Sequence, residues 1–163
     1  MTDLRWLVCH TRPRCEKKFA ALLTAEAFTH YLALVESVRR YGARTKKFTK
    51  PLFPGYVFAQ VPAAKKSRLY QQDLLARIIE IEDEAKFLRQ LADVRAIVAS
   101  GFELSLMPLL TKGRRVKIIG GPLHGLEGLV DNPANPQGVV LAVDVLQQGL
   151  LVKIPAEQLQ PLP

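Results

Sequence analysis

The spacing of apolar residues changes at Gly101, and this change constrains the fold more than any other feature of the sequence. Before Gly101, short strand-like stretches alternate with segments whose apolar residues recur at helical spacing. From residue 114 onward only strands and turns follow. The sequence therefore predicts an α+β domain over residues 1–101, a linker over 102–111 and a small all-β barrel domain over 112–163.

Within residues 1–101, the elements alternate along the chain in the manner of an α+β sandwich. Strands are expected at 6–9, 31–35, 44–50, 56–61 and 77–81, and helices at 13–28, 67–75 and 83–101. In the last helix Phe87, Leu91, Val94 and Val98 share one face. In the barrel domain, strands are expected at 116–119, 128–130, 139–145 and 150–154, with turns at 132–138 and 147–149.

Length and composition exclude several classes of protein. The 163 residues are enough for one average domain or two small ones, and 48% of them are hydrophobic, so a packed core is expected. The longest uncharged stretch, residues 51–64, is too short for a membrane span and contains three prolines. The first ten residues contain Asp3 and Arg5 and no long apolar run, so no signal sequence is expected. These features predict a cytoplasmic protein.

No motif in the sequence predicts catalysis, a cofactor or a metal. Cys9, His10 and Cys15 lack a second pair of ligands, so we expect plain thiols and no metal site. The glycine-rich segment 120–128 lacks the lysine and the hydroxyl of a phosphate-binding loop, and turns explain its glycines better. The chain is predicted not to be an enzyme.

Positive charge is concentrated in the first part of the chain. Residues 1–101 hold 18 Lys/Arg against 10 Asp/Glu, whereas residues 102–163 hold 5 of each. Nine cations lie between Ser37 and Gln72 with no acid among them: Arg39, Arg40, Arg44, Lys46, Lys47, Lys50, Lys65, Lys66 and Arg68. Such a run attracts polyanions, nucleic acid above all, although a solvated face is the alternative.

Two separate motifs resemble those of one family. Residues 113–130, GRRVKIIGGPLHGLEGLV, resemble a KOW motif. Residues 5–8 (RWLV), 11–18 (TRPRCEKK) and 51–58 (PLFPGYVF) resemble the amino-terminal domain of the NusG family of transcription elongation factors. The resemblance implies an antiparallel amino-terminal sheet flanked by helices and an SH3-like KOW barrel.

The resemblance also implies partners and sites. The amino-terminal domain would bind the clamp coiled coil of the largest RNA polymerase subunit through Trp6, Phe53, Pro54, Tyr56 and Phe58. Phe53 is expected in a turn where its ring is hard to bury, while core packing is the alternative for Phe58. Upstream or non-template DNA would be contacted by Lys65, Lys66, Ser67, Arg68, Gln71 and Gln72. The barrel would recruit proteins, a ribosomal protein among them, through Leu123 and Leu146.

Departures from the general family pattern point to a specialised member. The start TRPRCEKK is more similar to RfaH-like paralogues than to housekeeping NusG, and Leu146 lies where NusG shows an aromatic residue. We therefore expect a monomeric antitermination factor that suppresses pausing or termination. A ribosome-associated RNA-binding KOW protein and housekeeping NusG itself are the alternatives.

Overall fold

The computed structural model describes residues 3–132 and 138–163, and contacts within the chain divide it into two compact units, Met1–Glu84 and Ala85–Pro163. The first unit contains β1 (Leu4–Thr11), α1 (Glu16–Ala25), β2 (Thr29–Tyr31), β3 (Leu34–Tyr41), β4 (Arg44–Pro51), β5 (Tyr56–Pro62), a 3₁₀ segment (Ala63–Asp73) and β6 (Leu75–Glu80). Then follow α2 (Glu84–Ser100), β7 (Leu104–Pro108), β8 (Arg114–Ile118), β9 (Glu127–Val130), β10 (Val139–Val143), a 3₁₀ turn (Asp144–Leu146), β11 (Gln148–Val152), a 3₁₀ turn (Ala156–Gln158) and β12 (Leu159–Pro161).

An antiparallel sheet with the strand order β2-β5-β1-β6 forms the centre of the first unit. Helix α1 covers one face of it, where Phe19, Leu22 and Leu23 join the core with Leu7 and Cys9 of β1 and with residues of β5. Their spacing of i, i+3 and i+4 places the three side chains on one face of the helix. The helix begins at Glu16 and ends at Ala25, so it is shorter at both ends than the sequence predicts.

Strands β3 and β4 form a separate two-stranded sheet. They pair over their whole length, from Leu34 opposite Pro51 to Tyr41 opposite Arg44, and Gly42 in the turn has φ +61°. The sequence predicts strands joined through Tyr41-Gly42, whereas in the structure Tyr41 ends β3 and the two-residue turn is Gly42-Ala43. The sequence predicts a single strand over 31–35, because Tyr31, Ala33 and Val35 alternate without a visible break. In the structure this stretch is divided between β2 and the start of β3.

The segment after β5 differs from the short helix predicted over 67–75. It is a 3₁₀ segment that begins at Ala63 and is interrupted at Gln71 and Gln72, where Gln72 has φ +64°. Strand β6 then begins at Leu75, two residues before the predicted strand, because Leu75 already pairs with Thr11 of β1.

The second unit contains α2 and a six-stranded antiparallel sheet with the order β12-β8-β9-β10-β11-β7. Within this unit, the backbone N–H of Asp144 donates to Oε1 of Gln90 at 3.0 Å, and Lys86 forms an ion pair with Asp144. The buried residues of α2 are Phe87, Leu91, Val94 and Ile97. The predicted face is therefore correct except at its end, where Ile97 is buried instead of Val98. The predicted fold class, α+β followed by an all-β part, is confirmed.

The predicted linker contains a strand. Residues 104–108 form β7, which pairs with β11 along five residues, from Leu104 opposite Val152 to Pro108 opposite Gln148. The division into domains at residues 101 and 112 stays a prediction. Most of the predicted turn at 132–138 lies outside the described residues.

Candidate functional site

The second face of the central sheet is rich in aromatic side chains. Because side chains alternate along a strand, Trp6, Val8 and His10 of β1 point away from α1. The antiparallel register places them opposite Gln60, Phe58 and Tyr56 of β5, respectively. The predicted contact residues Trp6, Tyr56 and Phe58 therefore lie on one face of two neighbouring strands.

Phe53 joins this aromatic group from the turn before β5. Its ring meets that of Phe58 edge to face, with 6.3 Å between the centroids. Both rings are 1% exposed. The expectation that the ring of Phe53 is hard to bury in a turn was therefore wrong, because the turn directs it onto the Phe58 ring. Pro54 beside it is exposed, Tyr56 is half-buried and Trp6 is buried.

Hydrogen bonds from β1, α1 and the connection between β2 and β3 hold the turn that carries Phe53 and Pro54. The N–H of Gly55 donates to Oε2 of Glu16 at 2.9 Å, and the N–H of Thr11 donates to the carbonyl of Gly55 at 2.8 Å. The N–H of Leu52 donates to the carbonyl of Ala33 at 2.8 Å. Glu16 is buried, so its carboxylate is committed to this turn.

Two features of position 55 favour glycine over any other residue. Its φ of +86° is unfavourable for residues that have a Cβ, and a Cβ there would lie 3.3 Å from the ring of His10. The His10 ring in turn stacks on Tyr56, with 4.8 Å between centroids and 16° between planes. Reasoning from the sequence missed His10 and Glu16 as parts of this group. Glu16 and Gly55 lie in the segments TRPRCEKK and PLFPGYVF that resemble the NusG amino-terminal domain, whereas no signal in the sequence indicated His10.

The predicted DNA contacts lie on the 3₁₀ segment. Lys65, Ser67, Gln71 and Gln72 are exposed there. Lys66 and Arg68 have acidic partners: Lys66 pairs with Glu80, and Nη1 of Arg68 lies 3.3 Å from Oε2 of Glu26. The structure thus brings the six residues onto one segment but offsets the charge of two of its three cations.

The two leucines predicted for partner binding are buried in the second unit. Leu123 is 1% and Leu146 8% exposed, so neither displays its side chain to solvent in this structure. Leu123 lies in the turn between β8 and β9, where the N–H of Gly120 donates to Nδ1 of His124 at 2.7 Å. Leu146 ends the 3₁₀ turn after β10, and the backbone reverses at Gln147, whose φ is +53°.

Both cysteines are free thiols, and burial raises the pKa of Cys9 to about 12. Within residues 3–132 and 138–163, no three His, Cys, Asp or Glu side chains are grouped so that they could hold a metal ion. In the same part of the chain, no helix is both long and apolar enough to cross a membrane.

Comparison with known proteins decides the family. The sequence model of the NusG family, described as "Transcription termination factor nusG", matches residues 4–112, which is more than half of the chain. The chain belongs to the NusG family. The NusG match spans all the strands of the central sheet and the turn that carries Phe53.

One solved structure, described as "Domain interaction in Thermotoga maritima NusG", supports the fold. It is 15% identical in sequence with a TM-score of 0.53, over 99% of this chain and 98% of that one. A search of curated proteins finds no match. NusG family proteins are non-enzymatic transcription elongation and termination factors that bind RNA polymerase, and the chain is a transcription factor of this general kind.

Proposed function

We propose that this NusG family protein is a monomeric antitermination factor that binds the clamp coiled coil of the largest RNA polymerase subunit and suppresses pausing. The aromatic face of the central sheet carries this proposal. Pro54 and Tyr56 reach solvent at its end, while Phe53 and Phe58 are packed beside them. Aromatic side chains held rigidly in this way lose little conformational entropy on binding and dominate the energy of many interfaces.

The polymerase contact is tested with Tyr56→Ala. We expect it to weaken binding to purified polymerase by about 2 kcal/mol, as loss of an interface anchor does. Tyr70→Ala is the matched control, because Tyr70 is 52% exposed and lies on the 3₁₀ segment rather than on the aromatic face. Phe53 is replaced by Leu rather than Ala, since removing a buried ring costs about 3–5 kcal/mol of stability. Equal affinities of Tyr56→Ala and the wild type would exclude Tyr56 from the contact.

DNA contact is the second part of the proposal. The exposed side chains of Lys65, Ser67, Gln71 and Gln72 can meet phosphates and base edges. Lys66 and Arg68 would have to leave Glu80 and Glu26 to do the same. In a paused elongation complex, Lys65→Ala should therefore flatten the plot of log affinity against log salt by about 0.7 if it loses one phosphate contact to single-stranded non-template DNA, and Lys66→Ala by less.

Sequence preference is measured in the same complexes with several non-template sequences. Gln71→Ala or Gln72→Ala should relax the preference by about 1 to 3 kcal/mol for each hydrogen-bonded base that the variant no longer reads. Unchanged salt slopes together with an unchanged preference would show that the 3₁₀ segment does not face DNA.

The RfaH-like specialisation is tested by the direction of the effect on transcription. The description of the matching family, a termination factor, favours a housekeeping role as the second candidate. Adding the protein to transcription at a pause and at a terminator separates the two. An antitermination factor increases read-through at both, whereas a termination factor lowers the yield of read-through product.

A role of the KOW barrel in recruiting a ribosomal protein would require Leu123 or Leu146 to become accessible.

A further inference from the structure

The hairpin of β3 and β4 has two faces of different composition. In an antiparallel pair, directly opposite residues point to the same side, so the register assigns every side chain to a face. One face, here called the aromatic-basic face, carries Arg39, Tyr41, Arg44, Lys46, Phe48 and Lys50 and no acid. The opposite face carries two cations, Arg40 and Lys47, together with Glu36.

The aromatic-basic face presents rings and cations side by side. The guanidinium carbon of Arg39 lies 5.2 Å from the centroid of the Phe48 ring, within the range of a cation–π contact. Tyr41, at the last pair before the turn, is 57% exposed. An exposed aromatic ring beside cations is the arrangement on which nucleic acid bases stack.

The attachment of the hairpin leaves this face available. Nζ of Lys17 in α1 lies 2.7 Å from the carbonyl oxygen and 3.2 Å from Oγ1 of Thr49. Thr49 lies on the same side as Glu36, so the base of the hairpin is fixed to α1 through the opposite face. The four cations of the aromatic-basic face are exposed.

We propose that the aromatic-basic face binds a single-stranded polynucleotide, with phosphates beside Arg39, Arg44, Lys46 and Lys50 and a base stacked on Tyr41. A single strand is favoured over a duplex because stacking requires a base whose face is open. Alternate residues of β4 lie about 6.6 Å apart, so Arg44, Lys46 and Lys50 form an extended row of charges along which a sugar-phosphate backbone can lie. The inference goes beyond the proposed function, because it requires no polymerase and uses none of residues 65–72.

The experiment measures binding of the full chain to labelled oligo(dT) and oligo(U) of about 12 nucleotides, and to a duplex of equal length, at several salt concentrations. Two double variants are compared. Arg39→Gln with Lys46→Gln removes two charges from the aromatic-basic face, and Arg40→Gln with Lys47→Gln removes two from the opposite face. Both remove the same charge from the same exposed hairpin, and circular dichroism verifies that both fold.

We expect the first double variant to reduce the salt slope on single strands by about 1.4, corresponding to two phosphate contacts, and the second to leave it nearly unchanged. Equal reductions in the two would overturn the inference, because a solvated basic hairpin attracts polyanions without regard to face. Tighter binding of the wild type to the duplex than to either single strand would also overturn it.

Stacking is tested separately with Tyr41. Tyr41→Ala should weaken single-strand binding about 5- to 150-fold, and Tyr41→Trp should restore it, with little change of salt slope. An affinity of Tyr41→Ala equal to that of the wild type would overturn the stacking contact. A preference for oligo(U) identifies RNA as the natural strand and a preference for oligo(dT) identifies DNA, and either supports single-strand binding. These assays contain no polymerase, so their failure leaves the clamp contact untouched.

Discussion

Glu16 joins the start of α1 to the turn before β5, although 39 residues separate it from Gly55. Glu16→Ala leaves the N–H of Gly55 without its acceptor in a part-buried site, and we expect a loss of about 1–3 kcal/mol in the free energy of unfolding. Glu16→Gln keeps an oxygen acceptor and should lose less. Urea denaturation measures both.

The control for Glu16 is Glu84→Ala. Glu84 occupies the first turn of the other long helix and is exposed, so it shares the favourable position near the helix N-terminus but not the burial. Its replacement should cost about 0.5 kcal/mol. If the two alanine variants lose the same stability, the bond to Gly55 contributes nothing beyond the helix-end effect.

The titration of Cys9 depends strongly on the fold. Burial raises the pKa of its thiol from 9.0 to about 12, so the folded state favours the neutral form. Its contribution to stability is therefore complete below pH 9 and is lost as the pH rises toward 12. Thiol-specific dyes react with the thiolate form of cysteine. At about pH 8 we therefore expect such a dye to label Cys15 in the folded protein and to label Cys9 only after unfolding. Rapid labelling of Cys15→Ser in native buffer would contradict this.

At the scale of elements, β7 shows why part of the fold could not be predicted from sequence. Leu104 and Met107 are half-buried, and Ser105 and Leu106 between them are exposed, so the strand lacks the simple alternation that marks a sheet face. It is defined by its pairing with β11, whose partner residues lie 40 to 48 positions away in sequence. The helices α1 and α2 were predictable because each buries a regular stripe of its own residues.

The aromatic site, too, could be predicted only in part from the sequence. Trp6, Tyr56 and Phe58 could be named because they belong to the segments RWLV and PLFPGYVF that resemble the NusG amino-terminal domain. The stacking of His10 on Tyr56 and the bond from Gly55 to Glu16 could not, because each depends on how two distant segments meet. The burial of Phe53 depends on the direction of a turn, which no local pattern gives.

The contribution of β7 can be measured with two fragments, residues 102–163 and 112–163. Removing β7 uncovers one edge of β11, whose Leu150 and Val152 are fully buried. Small all-β units of about 50 residues are only marginally stable, so we expect the shorter fragment to lose its cooperative thermal transition while the longer one keeps it. Equal melting temperatures would show that β7 is dispensable and would support a linker that begins at residue 102.

Across the whole molecule, positive charge is concentrated in the first part of the chain. Residues 102–163 carry 5 cations and 5 anions, whereas the net charge of +8 belongs to residues 1–101. We expect fragment 102–163 to leave the electrophoretic mobility of labelled DNA and RNA unchanged at physiological salt, while the full chain retards both. Retardation of RNA by the fragment would favour the ribosome-associated alternative.

The hairpin of β3 and β4 has a consequence for how its length can change during evolution. Because the two strands pair with each other in a sheet of their own, one residue can be added to each strand beside the turn without disturbing the central sheet. Residues nearer the base then keep their faces, and each added pair extends the opposite face and the aromatic-basic face in turn. A single residue added to one strand near the base would reverse the faces of all the residues beyond it on that strand. Such insertions should therefore occur in matched pairs, or within the two-residue turn.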